Sequence, residues 1–442
     1  MDSEADTSRD GLPSPQKYFA MTRKPFLKAI IISGLILNIL FLANMSYIFG
    51  SIFQNTGRTH ALRVLLVDYD GGVVSQSIRA AYSDLKADSF ITVSEQLASD
   101  FGDTEAIQDA VCSGDYWAAL YVTPDASANL ARALEGGPAA ENFNASSAVG
   151  VVWNEIHYPV ISQGYVYSAL QTLLGATSSV YHSIHGTQAL STMNQSDPAA
   201  RAALFRPISF TTKNLTPVPT GAKVLWNTAT IPFLIIMQFF FVLALNSTTL
   251  GFAYYSKIPS KNLILLRLGI SIVYTFIASL TSTGYIWAFR QGFHLTGSQF
   301  VGTWMAIWLT NHANFLFLDT ATAIVPMAYM SHVVLTWIIL NVTSTINPLE
   351  LSAGFYRLGY AWPYHNLYEI LVTIWSNGCV NRVYRNLPII FAWWIVLFGL
   401  SLWAQLRKCR NSQKQAELEG PTPPQRGASE QAEKPGSADS SD

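Results

Sequence analysis

Asn311, His312, Asn314 and Asp319 crowd nine positions of an otherwise apolar stretch, and His332 follows in the next one. Amides, imidazoles and a carboxylate are the groups that pass protons or polar cargo through an apolar medium. There they are costly, so they face a bundle interior or a wet cavity. His312 and Asp319 are seven apart and share a face of any helix that holds both. One reading is therefore a polar translocation path or proton relay through these five residues. The plainer reading is preferred here. Asn311 and Asn314 hydrogen-bond neighbouring helices, and Asp319, just before Thr320, caps the next helix at the membrane surface.

Other chemistry is thinly represented. Asp68 and Asp70 sit in an Asp-Tyr-Asp-Gly-Gly turn with no third ligand at a useful spacing, so turn capping is expected of them. His182 and His185 are three apart on an expected helix, but two ligands make a poor metal site, and solvent-facing histidines are expected. Gly221-Ala222-Lys223 lacks the upstream glycine and the hydroxyl residue of a phosphate-binding loop, and no Gly-x-Ser-x-Gly elbow or His-Glu-x-x-His occurs. The expectation is a protein that is not an enzyme and holds no cofactor or metal. Net charge is −1, with no basic excess for a nucleic-acid partner. Cys112, Cys379 and Cys409 are too few for a disulfide framework. The first two could pair, but spacing does not place them together.

The elements that carry these residues are long and apolar. Half of the residues are hydrophobic and 12% are charged, against about 25% in soluble proteins. Six runs approach the roughly 20 residues that span a bilayer as a helix. They are residues 26–49, a run starting near Thr228, then 263–288, 300–318, 322–342 and 388–406. The expected fold is a polytopic α-helical membrane protein of six transmembrane helices, one plus five. A large external α/β insert, 50–225, separates the first helix from the bundle at 226–406. The first span reads as an uncleaved signal anchor. Tails at 1–25 and 407–442 are expected to be disordered and cytoplasmic.

Positive residues mark the cytoplasmic side. Arg23, Lys24 and Lys28 precede the first span; Lys257, Lys261 and Arg267 line the second connection; Arg407, Lys408, Arg410 and Lys414 follow the last span. All three clusters fall on one side if there are six spans, and Arg382 and Arg385 oppose the pattern. Sequons agree: Asn144, Asn194 and Asn214 all fall in the insert, Pro217 making the third the poorest acceptor. Cys409, beside Arg407 and Lys408, is a candidate for S-palmitoylation. Asn38, Asn44 and Gln238 are expected to join helices.

In the insert, strands are expected at 62–67, 117–122 and 149–153, with another at 205–212. Helices are expected at about 73–86, 104–112, 125–134 and 160–192. Strands alternating with helices imply an α/β layer. Residues 347–387 read as an aromatic-rich external helix pair, either dipping into the outer leaflet or capping the bundle beneath the insert.

Four segments carry a resemblance: Val64–Gly72, Gly114–Leu120, Trp153-Asn154-Glu155 and Gly359-Tyr360-Ala361-Trp362-Pro363. Over about residues 25–408 the chain resembles the fungal nitrosoguanidine-resistance membrane protein family. Its one-plus-five architecture is similar to type-2 ABC exporter membrane domains and phage-infection-protein-like permeases. The resemblance implies a multi-pass protein of the plasma membrane or a secretory-pathway endomembrane, contributing to export of or tolerance to toxic compounds, including by lipid movement. The alternative is a non-transporting organiser that alters lipid distribution or other transporters. Partners implied are the lipid bilayer, a second copy in a homodimer, and a separate ATPase docking on the 251–262 loop.

Overall fold

The computed structural model describes residues 15–419. Helix α1 (Pro15–Ile52) leads into a sheet domain: β1 (Arg63–Asp68), α2 (Val73–Leu85), β2 (Thr92–Gln96), α3 (Thr104–Cys112), β3 (Ala118–Val122), α4 (Ala126–Glu135), β4 (Val149–Trp153), α5 (Ser168–Thr192), α6 (Pro198–Phe205) and β5 (Phe210–Asn214). The bundle follows: α7 (Thr230–Gly251), α8 (Ser260–Ala288), α9 (Gly297–Ile324), α10 (Met330–Ile346), α11 (Pro363–Trp375) and α12 (Val383–Glu419).

The five strands lie in the order β2-β1-β3-β4-β5. β1 runs parallel to β2 and β3, β3 is antiparallel to β4, and β4 is parallel to β5. Side chains alternate across the sheet with a period of two. Val64, Leu66, Ala118, Leu120 and Val151 therefore point to one core with Ile78, Leu130 and Leu170, from α2, α4 and α5. Leu65, Val67, Ala119 and Val152 point to the other face, where Ile107 and Val111 of α3 cover them. Gly150 lies opposite Tyr121; a Cβ there would stand 2.1 Å from the Tyr121 ring. Expected strands β1, β3 and β4 are present within a residue. β2 has no counterpart in the sequence reading, because Thr-Val-Ser-Glu-Gln is an edge strand whose side chains are at best half-buried. β5 begins at Phe210, later than expected, because Pro198 at N1 and an Asp197 cap start a helix before it.

Among the described residues, five helices are long and apolar enough to cross a membrane: Tyr18–Ile52, Thr230–Gly251, Ser260–Ala288, Met327–Ile346 and Val383–Leu418. α9 is not among them. It buries Thr303, Thr310, Asn311, His312, Asn314, Asp319 and Thr322, yet it lies at the centre, packed on α7, α8, α11 and α12. A Thr296–Gln299 capping box starts it, and Pro326 stands just beyond its end.

Several expected boundaries change. Residues 15–25, assigned to the disordered N-terminal tail, belong to α1, and 407–419, assigned to the C-terminal tail, continue α12; the rest of each tail lies outside the described residues. Both segments carry Lys and Arg and prolong apolar helices. α11, in the segment expected to form an interfacial helix pair, is buried within the protein. Twelve of its thirteen residues are buried, beneath the sheet domain and against α9, α10 and α12, which corresponds to the capping alternative.

Candidate functional site: a polar seam between three bundle helices

The seam is built where α8, α9 and α12 meet. Asp319 is not a cap. It lies inside α9, five residues before Ile324, and its Oδ1 accepts a hydrogen bond from Arg267 of α8 at 2.5 Å. Ser401 of α12 donates to the other carboxylate oxygen at 2.8 Å. The apolar pattern breaks at Asp319 and so suggested a helix boundary. The helix continues because Arg267 neutralises the charge. That arginine, expected in a cytoplasmic connection, is buried to the same degree as its partner.

Arg267 is itself well supplied. It donates to Asn246 Oδ1 at 2.8 Å and to Thr249 at 3.1 Å, both on α7. Asn246 donates to Thr322 of α9 at 2.9 Å and accepts from Tyr255 at 3.2 Å. A cavity of about 20 Å³ lies beside the pair, the size of a single water. The cluster thus locks α7, α8, α9 and α12 together near the ends of the helices.

Two turns along α9, His312 meets the same two helices. Trp394 of α12 donates its indole N–H to His312 Nδ1 at 2.8 Å. Ser271 of α8 stands 3.2 Å from Nε2 and spends its own proton on the Leu268 carbonyl. An indole only donates, so Nδ1 must be the bare nitrogen and Nε2 carries the hydrogen to Ser271. The imidazole is held neutral, because a proton on Nδ1 would face the indole N–H. Asn311 completes the seam, donating to Ser279 of α8 at 2.9 Å.

The five candidate residues therefore do not form one chain. Asn311, His312 and Asp319 share the seam. Asn314 faces α10, where it accepts from Trp337 at 2.8 Å. His332 is half-buried at the start of α10, beside Ser331. Among the residues expected to join helices, Asn44 does so, donating to Thr336 of α10. Asn38 bonds its own helix at Gly34, and Gln238 is buried without a partner.

Beside His312 the seam opens into an apolar cavity of about 640 Å³, walled by α8, α9, α11 and α12. Among the described residues that line it, His312 is the only titratable group.

A second polar cluster lies where the sheet domain meets α11, and the sequence reading passed over it. Glu369 is buried, with Arg382 3.7 Å away and one carboxylate oxygen free of hydrogen bonds. Tyr158 of the sheet domain packs against Tyr368, ring centres 5.0 Å apart, and both hydroxyls are buried without partners. Burial pushes the Glu369 carboxyl up to about 7 and the imidazoles of His157 and His365 down to about 3 and about 4. Arg385 stacks on Tyr360. Arg382 and Arg385 opposed the charge pattern because both serve this junction. A carboxylate amid Leu367, Tyr368, Ile370 and Leu371 was the available signal.

Cys112 and Cys379 form a disulfide that ties α3 to the loop after α11 across 267 residues. Glu155, from the Trp-Asn-Glu segment, anchors the return to the bundle. It accepts from Asn214 and from the Val218 amide and pairs with Lys223. Asn214 is thus a half-buried structural residue, while Asn144 and Asn194 are exposed. Cys409 is buried against Tyr255 and Leu263, so its acylation would require that packing to open. Tyr255, expected on the ATPase-docking loop, is buried too. Asp68 and Asp70 are spent on their turn: Asp68 accepts from the Asp70 and Gly71 amides and from Arg79, and Asp70 from Ser127. His182 bonds the Leu204 carbonyl.

Residues 33–399 match the family described as "Protein of unknown function (DUF3533)". The chain belongs to the DUF3533 family. The match begins inside α1 and ends inside α12, so it takes in the sheet domain, the disulfide and the seam from Asn246 to Trp394. An uncharacterized endoplasmic reticulum membrane protein of Saccharomyces cerevisiae, YJR015W, is 31% identical over 142 residues, 30% of this chain. The matched stretch is 27% of that relative's length. No solved structure matches.

Proposed function

We propose that this DUF3533 member is a multi-pass membrane permease, with no enzymatic activity of its own, that moves lipid or lipid-like toxic compounds and so contributes to tolerance of them. The reading takes α9 as a sixth span, with the sheet domain outside and both tails in the cytoplasm, as in type-2 ABC exporter membrane domains. α9 has 28 residues, about 42 Å at 1.5 Å per residue, enough to cross. The Cys112–Cys379 bridge supports an external sheet domain, since such bonds persist in oxidising compartments. The observation that carries the reading is the large apolar cavity opening beside His312 on a polar three-helix seam. The relative's description as an endoplasmic reticulum membrane protein supports an endomembrane address over the plasma membrane. Energy would come from a separate ATPase or from the substrate's own gradient, in a monomer or a homodimer.

The test is flux. Purified protein in liposomes should move a fluorescent uncharged amphiphile between leaflets several-fold faster than protein-free vesicles do. Equal rates would leave the organiser reading, which the buried, mutually neutralised Arg267–Asp319 pair favours.

A further inference from the structure

We propose that the cavity beside His312 is a binding site for an uncharged amphiphile: a single long apolar chain bearing one hydrogen-bond acceptor, such as an ester carbonyl. The inference deepens the permease reading by naming the ligand class, but it concerns binding and does not require flux.

Three observations carry it. The first is size and lining. About 640 Å³ falls within the usual range of roughly 300–1,000 Å³ for small-molecule sites. The walls are Gly302, Ala306 and Leu309 of α9, Ile370 and Ile374 of α11, and Phe391 of α12. Phe391 is 43% exposed, so a chain can enter past it from the lipid side. The second is charge. Among the described residues no Asp, Glu, Lys or Arg lines the cavity, and His312 is held neutral by Trp394 and Ser271. A carboxylate or phosphate headgroup would find no counter-charge there and would bear the full cost of burial. The third is an unspent donor. Trp308 lines the cavity, and its indole N–H is buried with no partner among the described residues. A buried donor without an acceptor is unfavourable, and a neutral carbonyl or ether oxygen would satisfy it. Trp394 cannot serve, since its own N–H is committed to His312.

The experiment uses the full chain in nanodiscs and a monoacylglycerol with a diazirine on its acyl chain. Photolabelling should saturate, should be competed by unlabelled monoacylglycerol, and should map to Met305, Leu309 and Phe391. Ala306→Phe, which fills the cavity, should cut labelling at least fivefold; should that variant misfold, Leu309→Trp is read instead. Trp308→Phe keeps the ring and loses the donor. It should weaken competition by the ester about threefold to tenfold, the worth of one hydrogen bond, and leave competition by an alkane of equal length unchanged. Labelling that does not saturate, that falls equally on lipid-facing α1, or that survives the filled cavity would overturn the site. So would an ester preference that Trp308→Phe leaves intact. Specific labelling without liposome flux would keep the site and remove the permease.

Discussion

Asp319 and Arg267 form a buried pair, and the physics of such pairs makes a sharp prediction. Removing one partner strands the other charge in an apolar interior, at a cost of about 3–5 kcal/mol. Asp319→Ala and Arg267→Ala should each lower the thermal midpoint in detergent strongly, whereas Arg267→Met with Asp319→Leu should recover most of the loss. Asp319→Asn separates this role from a cap. A capping amide would be tolerated, but here it leaves the Arg267 charge uncompensated. A midpoint for Asp319→Asn equal to wild type would argue against the pair as a stabilising lock. The sequence marked Asp319 as unusual and missed Arg267, since a charge near the start of an apolar run looks like a flank.

At the scale of elements, α11 and the loop after it join the bundle to the sheet domain, through one covalent link and one buried ionisable cluster. Replacing Cys112 and Cys379 together with Ser should destabilise by about 2–4 kcal/mol, seen as a lower denaturation midpoint of the non-reduced protein. Peptide mapping without reductant should find the two cysteines joined. The cluster adds a pH dependence with opposing parts. Glu369 titrates near 7 in the fold against an ordinary value of 4.5. The native state therefore holds more protons, and this group's contribution is largest below about 4.5 and is lost as pH rises through 7. His157 and His365, depressed from 6.5, act the other way: the unfolded chain takes up their protons first, so they destabilise the fold as pH falls below 6.5. Glu369→Gln should remove only the first part. Its stability relative to wild type should rise between pH 5 and 8, by on the order of 3 kcal/mol at most. A difference that is flat with pH would show that Arg382 keeps Glu369 ionised throughout.

For the whole molecule, the proposed outside position of the sheet domain predicts the pattern of glycosylation. Asn144 and Asn194 are exposed, and glycosidase treatment should shift the mobility of the protein expressed in its host. The shift should vanish when both become Gln. Asn214→Gln should leave mobility unchanged but lower stability, because the Asn214 amide is bonded to Glu155. A shift surviving the double replacement would place a glycan elsewhere and weaken the proposed orientation.

Long apolar runs, the strand-helix alternation between them and the Gly-rich turns are local signals, and they were legible in residue order. Chain entropy and hydrophobic periodicity act over ten to twenty neighbours, so helices α7, α8 and α12 and strands β1, β3 and β4 could be drawn without coordinates. The partners of polar residues are not local. Arg267 finds Asp319 across 52 residues, Trp394 finds His312 across 82, and Cys112 finds Cys379 across 267. A buried charge is legible only with its counter-ion, and a cavity only with all four of its walls. Both arise when separate helices pack. Hence Asp319 read as a cap, Glu369 was passed over, and the site beside His312 was visible only once α8, α9, α11 and α12 stood together.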